Sequence, residues 1–258
     1  MKSLWNSFIV AFSMYSKIPM PRADWNKENM KYSMCFFPWV GLVIGALELG
    51  WFYLAAWMEL GDIFRSAVIV LIPVAVTGGI HLDGLLDTAD ALSSWREKER
   101  RLEILKDSHA GAFAVIIGIS YFVLAFGTAS MVSAECLPVL CLIFALARTY
   151  SALSVENFPK ANPSGTAAAF GGNSLKKRVN AVMAVYLVLL CGGAVLLNPL
   201  HGVLMAAAAA LIFWYYHHMA MKYFGGMTGD LAGFFVSVCE LVMTLAVIIG
   251  NRIAGMIG

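Results

Sequence analysis

Seven runs of mostly apolar residues, near 34–58, 65–81, 113–133, 136–155, 179–197, 200–219 and 233–250, take up most of this 258-residue chain. A helix of roughly 17–25 residues is what crosses about 30 Å of hydrocarbon, and these runs have that length. Short polar loops between them leave little material for a soluble domain. Composition agrees: 60% of residues are hydrophobic, 13% are charged and the mean hydropathy is +0.76, against roughly 45–50% and 25% in soluble domains. The expected fold class is therefore an all-α integral membrane protein of about seven transmembrane helices, in a single polytopic membrane domain spanning 1–258. The lipid bilayer is its expected partner, and no nucleic acid is. Cys35, Cys136, Cys141, Cys191 and Cys239 lie singly in apolar stretches and read as packing residues rather than as disulfides or zinc ligands.

Ahead of the first run, Leu4, Trp5, Phe8, Ile9, Phe12 and Tyr15 form an apolar stripe against Asn6, Ser7, Ser13 and Ser16. This pattern predicts an N-terminal interfacial amphipathic helix that stops before Pro19 and Pro21. A cleaved signal peptide fits less well, because polar residues break the apolar region and no A-x-A site follows. Orientation comes from the basic residues, which favour the cytoplasmic side. With the N-terminus inside, fifteen of the 18 lysines and arginines fall on cytoplasmic segments; Arg65 and Arg252 fall outside and Arg148 lies within a span. That bias supports an odd number of crossings.

The same topology carries every polar motif to the cytoplasmic face. In 78–90, if Gly84 does not break it, a helix sets Asp83, Asp87 and Asp90 at i, i+4 and i+7 on one face. Three mutually repelling carboxylates imply a hard cation such as Mg²⁺, which usually also binds substrate phosphates; the alternative is an acidic helix cap. His81 can donate to a phosphate oxygen or act as general acid or base. A second stretch, 101–113, offers Lys106 to neutralise phosphate, Asp107 as metal ligand or base and His109 for proton transfer, although Asp107 or Ser108 could equally cap a helix. A third, 225–230, sets Thr228 and Asp230 in a glycine-dense turn able to bind an anion or a metal, or to cap the last span. The trio Lys176, Lys177 and Arg178 could clamp phosphates, with anchoring to anionic lipid headgroups the favoured reading. Arg148 and Glu240, charged residues inside spans, need partners: each other, or a cavity above the site.

The stretches G-G-I-H-L-D-G-L-L-D-T-A-D at 78–90, K-D-S-H-A-G-A-F at 106–113 and G-G-M-T-G-D at 225–230 resemble the cobalamin synthase (adenosylcobinamide-GDP ribazoletransferase) family of bacteria over essentially the whole chain. The resemblance implies a Mg²⁺-dependent enzyme of the bacterial inner membrane, active on the cytoplasmic face. It would join adenosylcobinamide-GDP to α-ribazole or its 5′-phosphate with release of GMP, the final assembly step of coenzyme B12. On it, Asp83, Asp87 and Asp90 match the family's acidic motif, and Lys106, Asp107 and the turn Thr228-Gly229-Asp230 match its other two. A CDP-alcohol phosphotransferase is the nearest rival, but its D-x-x-D-G-x-x-A-R pattern is absent. A prenyltransferase would need a second aspartate cluster. A cation-coupled transporter would place its carboxylates near the midplane instead of at one surface.

Overall fold

The computed structural model describes residues 2–162 and 165–257. Among them it holds twelve helices: α1 (Lys2–Tyr15), α2 (Lys27–Met30), α3 (Ser33–Trp57), α4 (Asp62–Thr77), α5 (Ile80–Ser93), α6 (Lys98–Ile104), α7 (Ala112–Ala129), α8 (Leu137–Asn157), α9 (Thr166–Asn173), α10 (Lys176–Leu197), α11 (Pro199–Phe224) and α12 (Gly229–Ile257). Six of these, α3, α7, α8, α10, α11 and α12, are long and apolar enough to cross a membrane. A seventh candidate is α4 together with α5, which are long and apolar enough only as a pair; the 16 residues of α4 extend about 24 Å at 1.5 Å per residue. At Gly78 and Gly79 the chain takes two left-handed residues in succession, φ +66° and +80°, and α5 leaves at 95° to α4. Side chains with a Cβ resist that conformation, so the paired glycines set the break. Beyond the break, α5 packs along α12 and α7.

α8 is the central element, packed by α3, α10 and α12, with most of its span buried; α7 is the most outward-facing. Its Val115, Ile116, Ile119, Val123 and Leu124 are exposed, as expected of a lipid-facing surface. Close packing against α8 depends on Gly41 and Gly45 of α3, where any Cβ would run into the backbones of Phe144 and Cys141. This four-residue spacing of small residues lets membrane helices approach closely where no hydrophobic drive separates them from lipid. The connection between α10 and α11 is the single residue Asn198, whose side chain accepts from the His201 backbone N–H at 3.1 Å.

α1 packs against α3 through Phe8 and Phe12, with Phe8 edge-on to Phe36, while Leu4 and Trp5 stay exposed. Ser7 and Ser16, from the polar side of the expected stripe, are buried, so burial on α1 does not follow the stripe. Inside the spans, Arg148 donates from Nη1 to Glu240 Oε1 at 2.6 Å and to the Phe144 carbonyl at 2.9 Å. Pairing offsets part of the cost of holding either charge in the bilayer interior, although Arg148 Nε and Nη2 have no hydrogen-bond partner. Of the two sequence readings, the partners are each other, and the Arg148 side chain has no exposed surface.

Candidate active site

The site is built where α5 crosses the first turn of α12. A Cβ on Gly84 would collide with the backbone of Asp230, and one on Gly233 would sit 3.1 Å from the carbonyl oxygen of His81. Gly84 therefore does not break the helix; it lets α5 press backbone to backbone on α12. That contact brings Asp230, remote in sequence, to the carboxylates of α5. The Asp87 carboxyl is pushed up to about 6, first by partial burial and then by the charges of Asp83, Asp230 and Asp90. Among the described residues, no lysine, arginine or histidine forms an ion pair with any of these four aspartates.

Asp90 has a separate employment. Its two oxygens accept the backbone N–H of Gly111 at 2.6 Å and of Ala114 at 2.9 Å, so it caps the start of α7 from another helix. A Cβ on Gly111 would displace this carboxylate. The expected set of Asp83, Asp87 and Asp90 is thus divided, with Asp90 holding α5 to α7. Among the described residues, no three His, Cys, Asp or Glu side chains converge tightly enough to cage a metal ion. The arrangement does fit an ion such as Mg²⁺, which commonly takes one or two carboxylates and completes its shell with water and substrate phosphate.

The glycine-dense turn is pinned to the loop after α8. Met227 N–H donates to the Pro159 carbonyl at 2.8 Å and Ala161 N–H to the Met227 carbonyl at 3.0 Å. Thr228 Oγ1 accepts from Leu231 N–H at 3.2 Å, capping α12 as one of the two sequence readings allowed. Lys160 turns its ammonium back onto the carbonyls of Val155 and Phe158, closing the end of α8, and burial pulls its pKa down. Two cavities flank Asp230. One, of about 250 Å³, is lined by Lys106, Asn162, Thr228 and Asp230 among others. The other, of about 270 Å³, is lined by Tyr15, Phe37, His81, Asp83, Ser151 and Asp230 among others.

Of the residues expected from sequence, His81, Asp83, Lys106, Thr228 and Asp230 line these cavities, and Asp87 stands one turn along α5 from Asp83. Buried His81 packs near Tyr15 and Phe37, and its Nε2 has no hydrogen-bond partner. Asp107 and His109 line neither cavity: His109 is exposed and its Nδ1 lies 2.8 Å from Asp107 Oδ1, a bond that holds the Asp107 carboxyl below its ordinary range. Their proximity to Lys106 in sequence does not carry them into the site. Lys176, at the exposed start of α10, also lines neither. Sequence reasoning missed Tyr15, Phe37, Ser151 and Asn162. Each comes from a different element and carries no local signal of the cavity.

Residues 7–248 match the family model described as cobalamin-5-phosphate synthase. A protein of Lachnoclostridium phytofermentans named adenosylcobinamide-GDP ribazoletransferase is 43% identical over 96% of this chain and 95% of its own length. Proteins of the same name from two strains of Clostridium botulinum, Alaska E43 and Eklund 17B, are 32% and 36% identical, each over 94% of this chain and 96% of its own length. No solved structure matches the chain. With the membrane bundle, the acidic crossing and agreement over nearly its full length, this chain belongs to the cobalamin-5-phosphate synthase family.

Proposed function

We propose that this protein is an adenosylcobinamide-GDP ribazoletransferase of the bacterial inner membrane, working at the cytoplasmic face. A ribose hydroxyl of α-ribazole, or of its 5′-phosphate, attacks the corrinoid-side phosphorus of the diphosphate. The new O–P bond forms as the bridging P–O bond breaks, GMP departs with the bonding electrons, and the hydroxyl proton is released. The observation that carries this reading is the unpaired acidic crossing, where α12 adds Asp230 to Asp83 and Asp87 at the junction of two cavities. Phosphoryl transfer asks little covalent chemistry of a protein; positioning and neutralisation of charge dominate. Asp83 and Asp87 would hold Mg²⁺, which when bound neutralises diphosphate oxygens and the leaving phosphate. Lys106 supplies a positive charge on the other side of the same opening. Asp230, which lines both cavities, would accept the hydroxyl proton.

The test is GMP release from adenosylcobinamide-GDP and α-ribazole by the purified full chain, with and without Mg²⁺. Removal of an electrostatic group aimed at the transition state costs on the order of 10²–10³ in rate. Asp83→Asn is expected to lose at least about that factor while remaining in the membrane at normal abundance, and chelation of Mg²⁺ should stop the wild type. Retained turnover in Asp83→Asn, or metal-independent turnover, would refute the acidic site.

A further inference from the structure

The cavity of about 270 Å³ beside the carboxylates differs in kind from its neighbour. Its inner wall is aromatic: Tyr15 and Phe37 have ring centroids 4.1 Å apart, and His81 lies 5.9 Å from Phe37 and 6.5 Å from Tyr15, nearly parallel to the latter at 19°. These rings come from α1, α3 and α5, so three elements build the wall together. His81 borders this cavity and a smaller one lined by Arg148, Ser237 and Glu240, and its Nε2 is buried without a hydrogen-bond partner. A buried polar atom without a partner costs on the order of 1–3 kcal/mol, which a ligand able to pair with it would recover. At the mouth stand Asp83 and Asp230, and Ser151 adds a hydroxyl-bearing side chain.

We propose that this cavity seats the heteroaromatic base of the nucleoside acceptor against the wall formed by Tyr15, Phe37 and His81, with its ribose at Asp83 and Asp230. The proposal rests on the transferase reading above and assigns its two substrates to the two cavities. A flat bicyclic base offers faces to the rings, and its unsubstituted ring nitrogen accepts a hydrogen bond from His81 Nε2–H. The ribose, carrying the attacking hydroxyl, then falls at the carboxylates. A corrin macrocycle is too broad for a space of this volume, near the small end of ligand sites, whereas a nucleoside is compact. The cavity with Lys106 offers a positive charge to phosphate and carries no aromatic side chain among its lining residues. Because Asp230 borders both, the hydroxyl and the diphosphate meet there.

Steady-state kinetics on the full chain in detergent or nanodiscs, varying one substrate with the other saturating, separate the two cavities. Phe37→Ala strips the aromatic wall. Ala232→Met fills the same cavity without opening the Tyr15–Phe37 contact, so a folding failure of Phe37→Ala does not end the test. Both variants are expected to raise KM for α-ribazole about tenfold and to leave KM for adenosylcobinamide-GDP within about twofold, while Lys106→Ala does the reverse. A rise in the corrinoid KM instead, or no change in either, overturns the assignment and leaves the transferase reading standing. Calorimetric titration of α-ribazole into the protein without corrinoid gives an arm independent of turnover. Binding by the wild type that both variants lose supports the cavity even if no GMP is released, the result that would defeat the transferase reading; binding that both variants retain overturns it.

Discussion

At the scale of the residue, carboxylates of one short helix do different work according to what faces them. Asp90 spends both oxygens on the backbone at the start of α7, whereas Asp87 is raised to about 6, first by partial burial and then by the neighbouring acids. A carboxyl raised on folding contributes stability that is fully present below its unfolded value near 4 and is lost as pH rises through about 6. Metal-free protein in detergent is therefore expected to melt at a higher temperature at pH 5 than at pH 7.5. Mg²⁺ should raise the midpoint more at pH 7.5, where proton no longer competes with cation. Asp87→Asn should shrink both differences; an unchanged pH profile in that variant would show that the strain lies elsewhere. The i, i+4, i+7 spacing of the three aspartates was legible in sequence because helical periodicity is local. Their division of labour was not, since it depends on Gly111 and Asp230, which are supplied by α7 and α12.

At the scale of the element, glycines decide which helices can touch. Gly78 and Gly79 end α4 and turn the chain by 95° into α5, and Gly84 then lets α5 meet the backbone of α12. Gly84→Ala would favour α5 as an isolated helix, since alanine is the better helix former by roughly 1 kcal/mol. In the bundle it must push the two helices apart, and overpacking of this kind costs about 1–3 kcal/mol. The expected outcome is a modest fall in thermal midpoint with a disproportionate loss of GMP release, because Asp230 is carried away from Asp83. Equal activity in Gly84→Ala would show that the crossing distance is unimportant. The spans at 179–197 and 200–219 are matched by α10 and α11 within a few residues, for the same reason that their hydropathy is continuous. The stretch at 65–81 is matched less well: apolar character runs on past Thr77, but two left-handed glycines end the helix there.

At the scale of the whole molecule, the bundle gathers its chemistry at the end where the basic loops lie. The Arg148–Glu240 pair stays inside, and the lipid-facing side of α7 is plain hydrocarbon. A cysteine placed at the exposed Arg96, between α5 and α6, with the native cysteines replaced, should react with an impermeant thiol reagent only in inverted vesicles. Labelling from the outside of intact cells would reverse the proposed orientation. The sequence by itself determined that the chain lives in a bilayer, about how many times it crosses and that acidic residues share one helical face, because hydrophobic length and helical period are properties of neighbouring residues. Only the tertiary structure decided that Asp230 joins Asp83 and Asp87, that Asp107 and His109 stay outside, and that rings from α1, α3 and α5 enclose one cavity. Those outcomes depend on how closely helices distant in the chain approach, and that distance is set by packing across the bundle.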